Sequence, residues 1–487
     1  MLFNSIDFAI FLPIVFVVYW WLRSDLRAQN LFALAASYFF YGWWDWRFLS
    51  LIIFSTLVDY FIGVNLGKNK RDEIRKLLLA TSVLVNLGFL GFFKYFNFFI
   101  DNIDSAFSFF GSPIAVQGLE IVLPVGISFY TFQTLSYSID VYKRKLAPTS
   151  NFISFAAFVS FFPQLVAGPI ERATNLLPQF YKRRTFNYEQ SVDGLRQILW
   201  GLFKKMVIAD NAARLSNEVF NNSQDYSGAS LFLGAFMFAF QIYGDFSGYS
   251  DIAIGTSRLF GFDLKRNFAF PYFSRDVAEF WRRWHISLST WFRDYLYIPL
   301  GGSKGSLAMK VRNTFIIFIV SGFWHGANWT FIVWGALNAL YFLPLLLTNR
   351  NRKNTEVIAQ GNLFPNWREG LSMFFTFILT VFTWVFFRAE NLNGAFSFIY
   401  RMMVGFLDVD NFKIVEDLIE SKYGLIQLFI LVFFVVIEWL GRENEYAIET
   451  TLSNRSSLLR WSFYSFIIFL IGMFMVTEET PFIYFQF

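Results

Sequence analysis

The sequence contains only two histidines, His285 and His325, and no cysteine among its 487 residues. Histidine is the side chain whose ordinary pKa allows proton transfer near pH 7, so these two residues are the first candidates for acid–base chemistry. Without cysteine, the chain cannot form disulfides, cysteine-ligated zinc sites, iron–sulfur clusters or a thiol nucleophile. The two histidines lie far apart in the sequence and match no recognised ligand spacing, so no metal site is predicted.

His325 follows an apolar run, 313–324. At about 1.5 Å per residue, a run of this length crosses roughly half of a bilayer, which places His325 near the midplane. Gly322 and Gly326 allow close backbone approach or a helix break beside it, and Asn328 is near enough in sequence to orient the ring. The structural alternative is a buried histidine bonded to a backbone carbonyl, although ionisable groups at membrane depth are functional by default.

His285 lies in a second stretch that is rich in tryptophan and arginine. If this stretch is one helix, Trp281, His285 and Ser289 share a face. The neighbouring Arg282 and Arg283 suit the phosphates of a donor substrate. An interfacial amphipathic helix with Trp and Arg at the lipid headgroups explains the same pattern, and the spacing alone does not separate the two interpretations.

Asp245 and Asp251 form a third group, in a glycine- and serine-rich stretch between apolar runs. Two carboxylates at membrane depth could line a polar tunnel that carries substrate. A structural role, in which they pair with the arginines near His285, is at least as well supported by the sequence, so both interpretations stay open.

The composition identifies the kind of chain that must position these residues. Hydrophobic residues make up 55% of it and charged residues 16%, against about 45–50% and about 25% in soluble domains. Too little charge remains to cover so much apolar side chain in water, so the sequence predicts an all-α, multi-pass membrane protein. The net charge of +5 is interpreted as the basic excess of cytoplasmic loops rather than as a nucleic-acid site.

The apolar stretches predict roughly ten to twelve membrane-spanning helices. Basic loops alternate with loops that lack lysine and arginine, which places both termini on the extracytoplasmic side. Prolines, glycines and charges in the middle of the chain predict re-entrant segments around a central tunnel, because irregular backbone survives at membrane depth only inside protein or along a water-filled cavity. The predicted single membrane domain comprises N-terminal spans (1–145), a catalytic core (146–347), C-terminal spans (348–476) and a tail (477–487).

Several motifs carry a resemblance to a known family. The sequences Trp-Arg-Arg-Trp-His-Ile-Ser at 281–287, Tyr-Ile-Pro-Leu-Gly-Gly at 297–302 and Gly-Phe-Trp-His-Gly at 322–326 together resemble the bacterial branch of the membrane-bound O-acyltransferases (MBOATs). The stretches 123–133 and 162–172 are similar to the same branch. The combination is far more specific than either histidine alone, and the similarity extends along almost the whole chain.

The resemblance implies a helical bundle with a central tunnel, in the bacterial cytoplasmic membrane. An acyl group, expected to be acetyl, would pass from a cytoplasmic thioester such as acetyl-CoA, with no bound cofactor, to an extracytoplasmic polysaccharide such as alginate. It further implies that His325 is the catalytic residue and His285 the second characteristic position. A neutral imidazole can take a hydroxyl proton and return it to the leaving thiolate. The predicted substrate-binding residues are Trp281, Arg282, Arg283, Ser289, Asn328 and Asp245.

The C-terminal residues 481–487 are aromatic, lack lysine and arginine, and follow the polar spacer 477–480. An aromatic belt that anchors the last helix is one explanation. The tail also resembles a C-terminal tyrosine motif of bacterial envelope-acylation systems. That resemblance implies that Tyr484, the third catalytic candidate, accepts the acyl group and passes it to a secreted partner, an acetyltransferase of the esterase fold.

Two rival functions stay open. D-alanyl transfer to teichoic acid belongs to the same family, although that branch typically has a shorter chain and takes its thioester from a carrier protein. A transporter or polysaccharide permease is the rival from another class. It would favour inverted repeats and broken helices in matching halves, and no such symmetry is evident in the sequence.

Overall fold

The computed structural model describes residues 1–111, 118–166, 168–406, 422–450, 452, 455–476 and 482–483, with only the backbone of 422 and 423. Within these ranges the chain forms twenty α-helices, joined by loops and by short 3₁₀- or π-helical stretches. The helices are α1 Ile6–Trp21, α2 Leu26–Asp45, α3 Leu49–Lys68, α4 Asp72–Leu90, α5 Phe96–Phe109, α6 Ile127–Tyr142, α7 Phe152–Val159, α8 Phe162–Leu165, α9 Ala173–Leu176, α10 Tyr188–Leu202, α11 Asp210–Asn221, α12 Gly228–Leu259, α13 Val277–Arg283, α14 Ile286–Phe292, α15 Leu307–His325, α16 Trp329–Leu347, α17 Trp367–Arg388, α18 Leu392–Val404, α19 Lys422–Leu440 and α20 Ser457–Phe474.

Many of these helices are long and apolar enough to cross a membrane. Seven continuous helical stretches within the described residues meet that condition by length and composition, and three shorter apolar helices accompany them. The longest stretches, Leu26–Lys68 and Asp72–Phe109, each contain two of the α-helices. The all-helical, multi-pass class predicted from the sequence is confirmed, whereas the number of spans, the sides of the termini and the tunnel stay predictions.

The chain divides into two compact units. Unit 1 contains Met1–Gly194 and Ala253–Lys265, and unit 2 contains Leu195–Ile252 and Arg266–Phe487. All the predicted site residues that the structure describes belong to unit 2. The predicted division of the sequence into four consecutive segments is not tested by these units and stays a prediction.

Unit 1 contains a buried polar cluster among α3, α4 and α6. Its centre is the carboxylate of Asp59, which accepts hydrogen bonds from the hydroxyls of Ser82 and Ser138 and from the amide of Asn86. Neutral donors therefore satisfy this carboxylate, as a buried polar group requires.

In unit 2, α15 and α16 form a tightly packed pair that delivers His325 to the end of α15. Gly322 of α15 lies against the backbone carbonyl of Phe331, and Gly335 of α16 lies against that of Phe318, so a Cβ at either glycine would collide with backbone. The prediction that Gly322 allows close backbone approach is confirmed. His325 is the last residue of α15, because Gly326 takes an extended conformation with φ −160°.

The stretch around His285 is not one helix. Helix α13 ends at Arg283, Trp284 is extended, and His285 adopts a left-handed conformation with φ 44° before α14 begins at Ile286. The hypothesis that Trp281, His285 and Ser289 share a helical face is therefore wrong. The break is stabilised from outside the stretch, because the backbone N–H of Ile286 donates to the carbonyl of Asn267 instead of continuing the helical ladder.

Candidate active site

The fold of unit 2 brings the two histidines together. The ring centroids of His285 and His325 are 6.4 Å apart, and the two residues are 1% and 3% exposed. His285 lies at the break between α13 and α14, and His325 lies at the end of α15. At these positions no further helical turn separates the two side chains. The two imidazoles can therefore act on the same substrate group.

A polar cluster orients the ring of His285. Its Nδ1 lies 3.1 Å from Oδ1 of Asn267. The same Oδ1 accepts from the backbone N–H and the hydroxyl of Ser287, while the Asn267 amide nitrogen donates to Ser250. Because Oδ1 can only accept, Nδ1 of His285 must carry the proton, which leaves Nε2 as the acceptor nitrogen of the neutral ring.

Burial also determines the charge of this ring. It lowers the pKa of His285 to about 3, because an apolar environment disfavours the imidazolium. The edge of Phe246 contributes to that environment, with its ring centroid 4.6 Å from that of His285. His285 is thus neutral at physiological pH.

His325 sits among aromatic rings. The centroids of Trp324, Trp334 and Phe387 lie 4.9 Å, 5.3 Å and 5.3 Å from that of the imidazole. Trp384 stacks on Trp334 with the ring centroids 5.8 Å apart. We call these four rings the aromatic box of His325. Rigid rings of this size limit the positions open to the imidazole and exclude bulk water from it.

Three predicted substrate-binding residues have structural partners near this box. The indole N–H of Trp281 donates to Asn338 at 3.2 Å, and the hydroxyl of Ser289 donates to the carbonyl of Trp284 at 3.4 Å. The side chain of Asn328 caps α16 and donates to the carbonyl of Glu390 at 2.7 Å. Their contact with substrate stays a prediction.

The two arginines differ in their surroundings. Arg282 is exposed and donates to the carbonyls of Asn351 and Asn354 at 2.8 Å and 2.6 Å. Arg283 is buried and forms an ion pair with Glu279 at 2.7 Å. Arg282 is therefore the more accessible of the two, and its contact with a donor phosphate stays a prediction, whereas Arg283 supports the fold of α13.

Asp245 and Asp251 pair with lysines and not with the arginines near His285, which corrects one interpretation left open by the sequence. Lys204 contacts Asp251 at 2.5 Å and Lys205 contacts Asp245 at 2.9 Å. Asp245 also accepts a hydrogen bond from the backbone N–H of Ile483 at 2.7 Å. The C-terminal segment thus reaches the same buried cluster, while Tyr484 itself lies outside the described residues.

Unit 2 also contains an apolar cavity of about 360 Å³. Its lining includes Tyr243, Tyr272, Phe377 and Glu438, and neither histidine contributes to it. The ring of Tyr272 lies 6.0 Å from that of Trp284, the residue before His285. The cavity therefore lies beside the active-site aromatics, and a continuous tunnel through the histidine pair stays a prediction.

Several residues of the site were missed at the level of sequence. Asn267 and Trp334 stand in no motif with either histidine, and nothing in their local sequence marks them. Lys204 and Lys205 did carry a signal, because two adjacent lysines interrupt an apolar run and buried lysines require partners.

A buried pair of imidazoles in an all-helical membrane protein has the chemistry needed to take a proton from a hydroxyl and return it. The model of the membrane-bound O-acyltransferase family, MBOAT, matches residues 31–386, which include both histidines. The chain therefore belongs to this family and is a membrane-bound O-acyltransferase, as the resemblance implied.

The names of individual relatives indicate which acyl group is transferred within the family. The chain is 40% identical to the probable alginate O-acetylase AlgI of Azotobacter vinelandii, over 92% of this chain and 86% of that protein. It is 35% identical to a peptidoglycan O-acetyltransferase of Helicobacter pylori, over 83% and 80%. A teichoic acid D-alanyltransferase of Streptococcus thermophilus is 29% identical over 56% of this chain and 70% of its own length. The similarity to O-acetyltransferases over most of the chain thus supports O-acetyltransferase activity.

Proposed function

We propose that this protein transfers acetyl groups from a cytoplasmic thioester, such as acetyl-CoA, to an envelope polysaccharide on the far side of the bacterial cytoplasmic membrane. The observation that carries the proposal is the buried pair of histidine rings, 6.4 Å apart. A pair of imidazoles in a dry aromatic box can move a proton from an attacking hydroxyl to a leaving thiolate.

In the first step, His325 removes the phenol proton of Tyr484. The phenolate oxygen attacks the thioester carbonyl, the carbon–sulfur bond breaks, and the thiolate takes the proton back from the imidazolium. The product is an acetyl ester on Tyr484 and a free thiol. An aryl ester has a good leaving group, so it can pass the acetyl group to a serine of a secreted partner with an esterase fold.

His285 has a positioning role in this scheme. Its protonated Nδ1 is committed to Asn267, so Nε2 can accept a hydrogen bond from the attacking hydroxyl or from a donor group. A neutral ring at this place also avoids a second positive charge beside the imidazolium of His325, because like charges at this distance repel strongly in a low dielectric.

The described part of the C-terminal tail supports a catalytic place for Tyr484. Phe482 and Ile483 are 0% and 1% exposed, and the ring of Phe482 lies 5.7 Å from that of Phe246, which itself touches His285. A tail that only anchored the last helix at the lipid surface would have no reason to be buried beside the active site.

The acceptor and the acyl group distinguish the remaining alternatives. Relatives named for alginate and for peptidoglycan acetylation each match more than four fifths of this chain, so a polysaccharide acceptor is proposed and alginate is its first candidate. D-alanyl transfer to teichoic acid is the alternative, whereas membership of the acyltransferase family argues against a transporter. Supplying membranes with labelled acetyl-CoA separates them, because only an acetyltransferase transfers the label to polymer.

The test of the proposal is Tyr484→Phe, with Tyr464→Phe in α20 as the matched control. We expect Tyr484→Phe to insert normally and to stop polymer acetylation, while Tyr464→Phe retains wild-type activity. Without the partner, mass spectrometry of the wild-type C-terminal peptide should show an acetyl adduct on Tyr484. An active Tyr484→Phe variant would return the tail to the role of a membrane anchor.

A further inference from the structure

We propose that Asp245, held by Lys205, is the docking point of the C-terminal segment and positions that segment next to His285. The importance of this docking for catalysis rests on the proposed function of Tyr484. The docking itself rests on contacts among residues that the structure describes.

The tail is held at two adjacent residues. The backbone N–H of Ile483 donates to Oδ2 of Asp245 at 2.7 Å, and the ring of Phe482 packs on that of Tyr249 at 4.5 Å. A backbone hydrogen bond to a carboxylate is stronger than one between neutral groups. Burial from water strengthens it further, so this bond contributes to determining where the tail lies.

Lys205 holds the docking carboxylate in place. Its Nζ lies 2.9 Å from Oδ1 of Asp245 and 2.8 Å from Oδ1 of Asp210. The three residues form a buried ion cluster in which Oδ1 of Asp245 faces the lysine and Oδ2 faces the tail. Because each oxygen has its own partner, the carboxylate can hold Lys205 and Ile483 at the same time.

The local backbone is built for this arrangement. Residues Phe203–Ala209 form a π-helical turn, which widens the helix and is common at functional sites. The absence of a side chain at Gly244 lets α12 approach this turn, since a Cβ there would lie 2.9 Å from the carbonyl oxygen of Lys204. Two consecutive lysines can therefore point into the packed interior.

The residue next to the docking point in sequence contacts His285. Phe246 follows Asp245 in α12, and its ring contacts His285 at 4.6 Å and Phe482 at 5.7 Å. Tyr484 is covalently joined to Ile483. Holding the N–H of Ile483 on Asp245 therefore confines the attachment point of Tyr484 to the surroundings of His285, which makes Asp245 and Lys205 positioning residues.

The absence of native cysteine allows a direct test. A single cysteine is introduced by Ile483→Cys, which keeps the backbone N–H, and its labelling rate by a membrane-impermeant maleimide is measured in the full-length protein. Adding Asp245→Ala should raise this rate by about ten- to hundredfold, the factor expected for losing a hydrogen bond to a charged group. An unchanged rate would overturn the proposal.

Asp251→Ala is the matched control, because Asp251 lies on the same helix and pairs with Lys204 without a described contact to the tail. We expect it to leave labelling of the cysteine at 483 within about twofold of the parent, because changes that share no partner act nearly independently. If it raised labelling as much as Asp245→Ala, general loosening of α12 would explain the result and the docking proposal would fail.

A second pair of variants removes the donor while leaving the ion cluster intact. Ile483→Pro deletes the backbone N–H, and Ile483→Ala keeps it. The proline variant should lose polymer acetylation, and the double variant should be no worse than Asp245→Ala alone, because both changes remove the same bond between the Ile483 N–H and Asp245. Equal activity of the proline and alanine variants would contradict the proposal.

These results separate the docking from the acyl relay. Faster labelling in Asp245→Ala together with an active Tyr484→Phe variant would establish docking and refute the relay. Unchanged labelling with an inactive Tyr484→Phe variant would refute docking and leave the relay in place.

Discussion

The two histidines occupy different kinds of surroundings within one site. His285 is held through hydrogen bonds, because Asn267 and Ser287 gather at its Nδ1 and its backbone is left-handed. His325 is held by shape, since the rings of Trp334 and Phe387 each lie 5.3 Å from it. Hydrogen bonds determine the tautomer and the orientation of the His285 ring. Packing against aromatic rings determines the position of the His325 ring.

This difference indicates a division of labour. A general base must gain and lose a proton during turnover, and rigid rings that hold the position of the imidazole suit that role. A residue that orients substrate benefits from a single tautomer and a neutral ring. On this basis we propose that His325 transfers the proton and that His285 positions the reacting group.

Replacement of His325 should have the largest effect. His325→Ala should insert normally and lower acetyl transfer by at least ~10²–10⁴, the usual contribution of a general base. The measurement is polymer acetylation normalised to the amount of monodisperse protein. Wild-type acetylation in this variant would refute the assignment of His325 as base.

Replacement of His285 and of its orienting amide should have the next largest effect. His285→Ala should be severely impaired, and Asn267→Ala should lower turnover by about ten- to hundredfold, because a buried hydrogen bond that determines the tautomer is lost. Ser250→Ala is the control, since the hydroxyl of Ser250 accepts a hydrogen bond from the amide nitrogen of Asn267, whereas the tautomer of His285 depends on Oδ1 of that side chain. If Ser250→Ala and Asn267→Ala were equally impaired, the tautomer would not be the cause.

Replacing Arg282 should affect donor binding, and replacing Arg283 should affect the stability of the protein. Arg282→Gln should raise the apparent KM for the thioester donor, with little change in thermal stability. Arg283→Gln should instead lower stability by about 3 kcal/mol, because it removes one partner of a buried ion pair. Donor titrations and thermal unfolding of both variants test this, and a change in turnover alone for Arg282→Gln would make that residue structural as well.

The smallest expected effect is a pH dependence of stability. His285 has a pKa of about 3 in the folded protein and about 6.5 when unfolded. Between these values only the unfolded chain binds the proton, so stability falls as the pH is lowered through this window. Wild type should therefore lose about 2 kcal/mol more than His285→Gln between pH 7 and pH 5. Parallel losses in the two proteins would place the acid sensitivity elsewhere.

The sequence predicted the parts of the site that depend on local properties. Apolar runs identify helices in a membrane whatever their neighbours are, and the motifs around His285 and His325 identify the family. Gly322 was identified as a close-approach position because glycine is the residue that permits one. The prediction that Trp281, His285 and Ser289 share a helical face was wrong, because Asn267 binds the backbone at the start of α14. Local periodicity carries no information about a residue outside the stretch.

The sequence by itself therefore determined the class of this protein, its family and the two histidines for which we propose proton transfer. Only the tertiary structure decided which groups complete the site. Asn267 meets His285 across 18 residues of sequence, and Ile483 meets Asp245 across 238. Such pairs form because each buried donor or acceptor must find a partner somewhere in the fold, and the fold, rather than the neighbouring sequence, determines which partner is within reach.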